Sequence, residues 1–307
     1  MHWRALRAAE LETCLRVEPG NVGDELIGWP AALSAWKTLS KSPAFNSAVV
    51  ETQTPDGTAR IVGFGASAFV TPEFANAELA NPTPGMISRL IASVYHERAV
   101  VLDYDALSLA NAEDSLDLVV LRGSCAADVT DPQEFHEAQM ALAASFIEIH
   151  LGYSLQRVIG EPMLDVSIEM CERSGVWRRV GNSPIWTAQR RDITEEFNWP
   201  FSRLFYAHKP IFGFKRAEQE LLSVALDWHT DEELAAALHL HVGSVKKRWA
   251  SIIDRVAHIA PQIVEGEKVV ETAHVRGRQK RHRVLAYVRE HPEELRPFSP
   301  GVAAMDI

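Results

Sequence analysis

Apolar residues recur along this chain with two periods, and the places where the period changes delimit its elements. Leu6, Leu11 and Leu15 line one side of a predicted first helix over 3–16. A second helix, 30–39, is entered through Pro30, whose fixed φ suits the first turn. Residues 48–52 and 60–70 read as strands around Pro55-Asp56-Gly57, a hairpin signal. The second strand is rich in small residues (Gly63, Gly65, Ala66, Ser67, Ala68), which predicts close approach of another backbone or a ligand. A proline-containing loop at 81–85 leads to a predicted helix over 86–96, followed by strands at 99–102 and 116–121. Phe135, Ala138, Leu142, Phe146 and Ile149 form the apolar face of a helix over 132–150. A strand at 154–159, a helix at 161–173 and a strand at 176–180 complete an alternation that predicts a sheet covered by helices.

From residue 214 the period becomes wholly helical. Ala217, Leu221, Val224 and Ala225 mark one amphipathic helix, and Leu234, Ala235 and Leu238 a short second one. Thr230 followed three residues later by Glu233 is a capping box, with Asp231 and Glu232 suited to the positive end of that helix. After His239-Leu240-His241, a third helix places Val245, Trp249, Ile252, Ile253 and Val256 on one side. Its other side carries Gly243, Lys246, Lys247 and Ala250: small residues permit close approach to a surface, and cations suit a phosphate backbone.

At 307 residues the chain is long enough for about two domains, each with its own core. No apolar run approaches the roughly 18 residues of a membrane span, and MHWRALRAAELETC lacks the apolar core of a signal peptide. Cys14, Cys125 and Cys171 are far apart and without metal-ligand spacing, so they are expected reduced, in a cytoplasmic protein with no membrane association. The net charge of −10 opposes nucleic-acid binding until it is divided. Residues 1–213 hold 17 Lys/Arg and 27 Asp/Glu, whereas 214–307 hold 14 of each, so the acidity belongs to the first part. The span 274–289 contains Arg276, Arg278, Lys280, Arg281, Arg283 and Arg289 and no acid, which gives one side of the second part an anion-facing character.

Residues 214–258 resemble the LuxR-type helix-turn-helix domain. The matching residues are Glu218, Glu220 and Leu222, then Thr230, Glu233, Leu234, Ala235 and Leu238, then Ser244, Val245, Lys246 and Ile252. The pattern differs at Lys215, Trp228 and His241, where the family carries threonine, glycine and a capping serine. The resemblance implies that Val242 to Val256 is a recognition helix with Lys246 and its neighbours at double-stranded DNA. The order of elements over 1–185 resembles the GNAT acyltransferase fold, with EMCERSGVWRRV matching its late helix, glycine and strand. PGMISRLI stands where that family places its pyrophosphate-binding loop, but Pro82 and Ile87 occupy positions of the Q/R-x-x-G-x-G/A pattern. Proline donates no amide and isoleucine crowds a diphosphate, so efficient acetyl-CoA binding is not expected.

Chemistry-bearing constellations are few. Tyr153 or Cys171 as an acid and Glu51 or Glu73 as a base are candidates for acyl transfer, but such residues are more often surface or capping groups. His239-x-His241 lacks a nearby third ligand, and Ser124-Cys125 lacks a neighbouring histidine in sequence.

The expected architecture is therefore an α/β domain over 1–190, GNAT-like with a mixed sheet and helices. A linker over 191–212, an all-α helix-turn-helix domain over 213–260 and a basic extension over 261–307 follow. The expected function is a DNA-binding transcriptional regulator, homodimeric, whose first domain senses a small-molecule effector or dimerises, with no cofactor. The alternative is an acyl-CoA-dependent N-acyltransferase with a DNA- or protein-binding helical tail. The candidate DNA-binding residues are Ser244, Lys246, Lys247, Arg248, Arg276, Arg278, Lys280, Arg281 and Arg283. In the tail, Val284, Leu285 and Val288 are expected to dock a helix beside the three-helix segment while the arginines grip flanking DNA.

Overall fold

The structure is a computed structural model that describes residues 1–17, 22–54, 56–162, 165–193, 200–206, 208–227, 230–265 and 273–299, with the side chains of 165–166, 200 and 273–278 left aside. The described residues up to Tyr206, with Ser299, form one unit, and those from His208 to Phe298 a second.

The first unit begins with strand β1 (His2–Arg4), then helix α1 (Leu11–Leu15) and helix α2 (Trp29–Leu39). The expected helix over 3–16 is thus a strand followed by a short helix. Trp3 pairs with Val50 in the sheet, and only Leu11 and Leu15 remain on a helix, turned into the core. Strands β2 (Phe45–Gln53) and β3 (Ala59–Val70) form the expected antiparallel hairpin, closed by the Gly57 amide on the Thr54 carbonyl at 2.8 Å. Helices α3 (Pro72–Ala80), α4 (Met86–Tyr95) and α5 (Tyr104–Ala112) follow. Of the expected strand at 99–102, only a single bridge, Val101 to Val70, is present. Then come strand β4 (Leu116–Cys125), helix α6 (Pro132–His150), strand β5 (Leu155–Gly160), helix α7 (Asp165–Ser174) and strands β6 (Arg178–Arg179) and β7 (Trp186–Gln189).

Among the described residues these strands make one mixed sheet in the order β1-β2-β3-β4-β5-β7-β6, an α/β arrangement. Every neighbouring pair is antiparallel except β4 and β5, which run parallel. One core lies under α1, α2 and α4 around Trp36, Phe64, Leu90 and Ile91. Another gathers Phe69, Leu118 and Val158 with Phe201, Leu204 and Phe205. Part of the expected linker, 191–212, therefore packs into the first unit. The small residues of β3 have a packing cause, because a Cβ on Gly63 or Gly65 would stand 3.3 or 3.4 Å from the Leu142 side chain of α6. Small strand residues let that helix lie close to the sheet.

In the second unit helices α8 (Arg216–Ala225), α9 (Asp231–Ala237), α10 (Val242–Ile259), α11 (Pro261–Val264) and α12 (Ala273–Glu290) enclose a single core. The Thr230–Glu233 box forms at the start of α9, with Thr230 N donating to Glu233 Oε2 at 3.0 Å and Glu233 N to Thr230 Oγ1 at 3.1 Å. Lys215 begins α8 in place of a capping threonine, and its amide donates to Glu218 Oε2 at 2.8 Å. Glu218 also accepts from Ser251 Oγ at 2.7 Å, which ties α8 to α10. Trp228, one of the three positions that differ from the family pattern, lies outside the described residues.

The tail is not an extension laid on this core but part of it. Val264, Val284, Leu285 and Val288 are buried with Leu221, Trp249 and Ile252. Glu294 closes the unit by accepting the Ile211 amide at 2.8 Å and the Phe212 amide at 3.2 Å. The described residues of 261–298 therefore share one core with those of 208–260, where burial of apolar surface holds them together at about 25 cal/mol per Å².

Candidate functional site

Among the described residues, two places present chemistry outward: the exposed face of α10 and a cavity in the first unit.

On α10 the helical period separates two faces. Val245, Trp249, Ile252 and Val256 are buried, while Gly243, Lys246, Lys247 and Ala250 are exposed and Ser244 is half-buried. The turn between α9 and α10 spans 238–241 and places His239 at φ 51°, a left-handed conformation that a non-glycine residue adopts at a cost. His241 precedes α10 without a side-chain capping bond, so the serine-to-histidine difference leaves that helix start uncapped.

The nine candidate DNA-binding residues divide. Lys246 and Lys247 are exposed on the outward face of α10. Arg248 is half-buried and donates through Nη1 to the Ala217 carbonyl at 3.1 Å, bracing α10 against α8. Arg281 pairs with Asp231 at 2.6 Å, and its guanidinium carbon stands 5.1 Å from the Trp249 ring centroid. Arg283 donates to the Val264 carbonyl at 3.1 Å. Lys280 is half-buried on the same helix. Arg276 and Arg278 lie on α12, their side chains outside the described set. Arg248, Arg281 and Arg283 thus hold the unit together, which their sequence spacing did not disclose.

The cavity of the first unit, about 690 Å³, opens where β4 and β5 part. Their pairing ends at Val120 and Gly160, yet β4 continues to Cys125. Glu161 and Pro162 carry the chain away from the sheet, and proline supplies no amide to continue the ladder. A register shift between Ala66 and Ser67 sets Arg122 opposite Ala66 and Val120 opposite Ser67. Helices α6 and α7 supply Met140, Leu142, Phe146 and Met170 to the wall. Trp177 and Phe201 add an aromatic corner, with Phe201 stacked on Phe146 at 5.9 Å.

Glu161 is buried, and its carboxylate accepts the Gly85 amide at 2.7 Å and the Met86 amide at 2.8 Å. A carboxylate at a helix start satisfies orphan donors and suits the helix dipole. The segment PGMISRLI, expected near a diphosphate, therefore already holds an internal anion. Helix α6, whose first turn also reaches the cavity through Phe135, opens with Asp131 accepting the Glu134 amide at 2.8 Å. Each of these two helix starts carries an acid of the protein itself.

Ser67 and His150, both lining the cavity, form a pair that sequence reasoning missed. His150 Nδ1 stands 2.6 Å from the Phe146 carbonyl, which only accepts, so Nδ1 carries a proton. In the neutral ring Nε2 then accepts from Ser67 Oγ at 2.8 Å. Each residue is only 1% exposed, and the bond fastens α6 to β3. The two are 83 positions apart, and the small-residue run of β3 was the only signal.

The residues considered for acyl transfer do not converge. Tyr153 is buried against Phe69 with ring centroids 4.6 Å apart, and Glu51 is paired with Arg4 at 2.5 Å. Glu73 lies in the first turn of α3. Cys171 lines the cavity, and burial pushes its thiol up to about 11, so at neutral pH it is a poor nucleophile. Among the described residues no group of three His, Cys, Asp or Glu side chains is placed to hold a metal ion, and no helix is long and apolar enough to cross a membrane.

No family model matches this chain, and no curated protein or solved structure matches it either.

Proposed function

We propose that this protein is a DNA-binding transcriptional regulator: the second unit is a LuxR-type helix-turn-helix domain, and the first is a GNAT-like domain that takes a small-molecule effector. The observation that carries the reading is the two-faced α10, with Trp249 and Ile252 in the core and Lys246 and Lys247 exposed on the opposite side. An α-helix offered in this way, preceded by a short helix and a tight turn, suits the major groove, and two adjacent lysines suit its phosphates. The distribution of charge supports it, since the first 213 residues carry the whole net −10 and would be held away from the nucleic acid.

The GNAT-like reading of the first unit is supported by its strand order and by the cavity opening between the parallel pair β4 and β5. Catalysis on an acyl-CoA is the weaker reading, because Glu161 occupies the helix start where a diphosphate would lie. We assign homodimerisation on the family resemblance alone; sedimentation of the intact protein tests it.

Footprinting of the intact protein on the region upstream of its own gene tests the regulator reading. A protected segment is the expected result, and uniform cleavage at every protein concentration contradicts it.

A further inference from the structure

Several of the charged and polar side chains in the cavity wall have partners within the protein, whereas Asn46 Nδ2 is buried without a hydrogen-bond partner. Glu161 accepts two backbone amides. Ser67 and His150 bond one another, and Ser145 Oγ donates to the Leu142 carbonyl at 2.8 Å. Arg122, the one arginine or lysine of the wall, is engaged in an interaction of its own within the protein. An ionised ligand entering this space would exchange its hydration for a wall built mostly of carbon, which is strongly unfavourable.

What the wall offers instead is carbon and sulfur. Phe146 and Phe201 stack with 4° between their planes, and Trp177 lies 5.4 Å from Phe201 at a tilt of 38°, giving an aromatic corner. Met140 and Met170 line the same space while 57% and 45% exposed, so they stand at its mouth. Unbranched thioethers adapt their shape to an apolar guest and attract aromatic rings. A volume of about 690 Å³ holds roughly 20 non-hydrogen atoms at the ~30 Å³ a water occupies in the liquid.

We propose that the cavity binds a neutral, largely apolar small molecule with an aromatic ring system, seated against Phe146, Trp177 and Phe201 and admitted past Met140 and Met170. This deepens the effector-binding reading of the first unit and is independent of the DNA-binding reading of the second.

Gly123 supplies the blocking variant. It lines the cavity on β4, its φ is not in the left-handed region, and a Cβ added there meets nothing within 4 Å. Gly123→Phe should fill the space without straining the strand, and Gly123→Leu is the milder version should the ring disturb folding. The intact protein is titrated by fluorescence with N-phenyl-1-naphthylamine and with 1-anilinonaphthalene-8-sulfonate, which share a ring body and differ in the sulfonate. The neutral dye should bind at least tenfold tighter than the anionic one, and both Gly123 variants should weaken it at least tenfold with unchanged melting temperature. Equal or tighter binding of the sulfonate overturns the ligand class. Undiminished binding of the neutral dye to both variants, or binding of neither dye to the wild type, overturns the cavity as the site. None of those results touches Lys246 and Lys247, on which the DNA reading is judged separately.

Discussion

Arg281 on α12 donates to Asp231 at the start of α9 across 2.6 Å while its guanidinium covers the Trp249 ring of α10. One side chain thereby joins three helices, and an arginine expected at DNA becomes part of the fold. Arg281→Ala should lower the stability of the second unit by about 1–2 kcal/mol, the sum of a half-exposed ion pair and a cation–π contact. Thermal melting checks the loss. An unchanged melting temperature with a reduced salt dependence of DNA binding would return Arg281 to the DNA surface.

Trp249 is 2% exposed and is the largest side chain on the inward face of α10. Trp249→Ala should cost about 3–5 kcal/mol through lost burial and the cavity left behind. Chemical denaturation measures it, and a loss below 1 kcal/mol would show that the ring is not held in the core.

Burial raises the Glu294 carboxyl above its ordinary value of 4.5, outweighing the Ile211 and Phe212 amides, which lower it. Neighbouring Glu293 pushes it further up and His291 lowers it. The folded protein therefore holds this proton more tightly than the unfolded chain does. That contribution is fully present below about pH 4.5 and is lost as pH rises through the raised folded value. Glu294→Gln should flatten the decline of second-unit stability with pH above 4.5, measured by denaturation at a series of pH values. Identical pH profiles for the two proteins would remove Glu294 from the titration.

Calorimetric titration with acetyl-CoA should show no binding tighter than about 100 μM, or about −5.5 kcal/mol. The cause is the occupied helix start, with Glu161 on the Gly85 and Met86 amides. A micromolar constant with turnover on an amine would favour the acyltransferase reading.

Much of the fold was legible because strong periods coincide with caps. The hairpin of β2 and β3, the helices 30–39 and 132–150 and the three helices from α8 to α10 follow from apolar spacing together with Pro30, Pro132 and the Thr230–Glu233 box. Helices α3 and α5 were missed because alanine dilutes their apolar faces, although Thr71 and Asp103 cap them at 3.3 and 2.8 Å. The first residues were misread because β1 takes its conformation from pairing with β2, which local spacing cannot express. The exposed lysines of α10 were legible from helical phase. The cavity was not, since it arises where two strands part and where residues from Asn46 to Phe201 meet.

The salt dependence of binding to duplex DNA, for the wild type and for Lys246→Ala with Lys247→Ala, tests the central claim most directly. Each phosphate contact released should reduce the slope of log K against log salt by about one, so the double variant should lose about two with an unchanged melting temperature. An unchanged slope would contradict the assignment of α10 to the DNA surface.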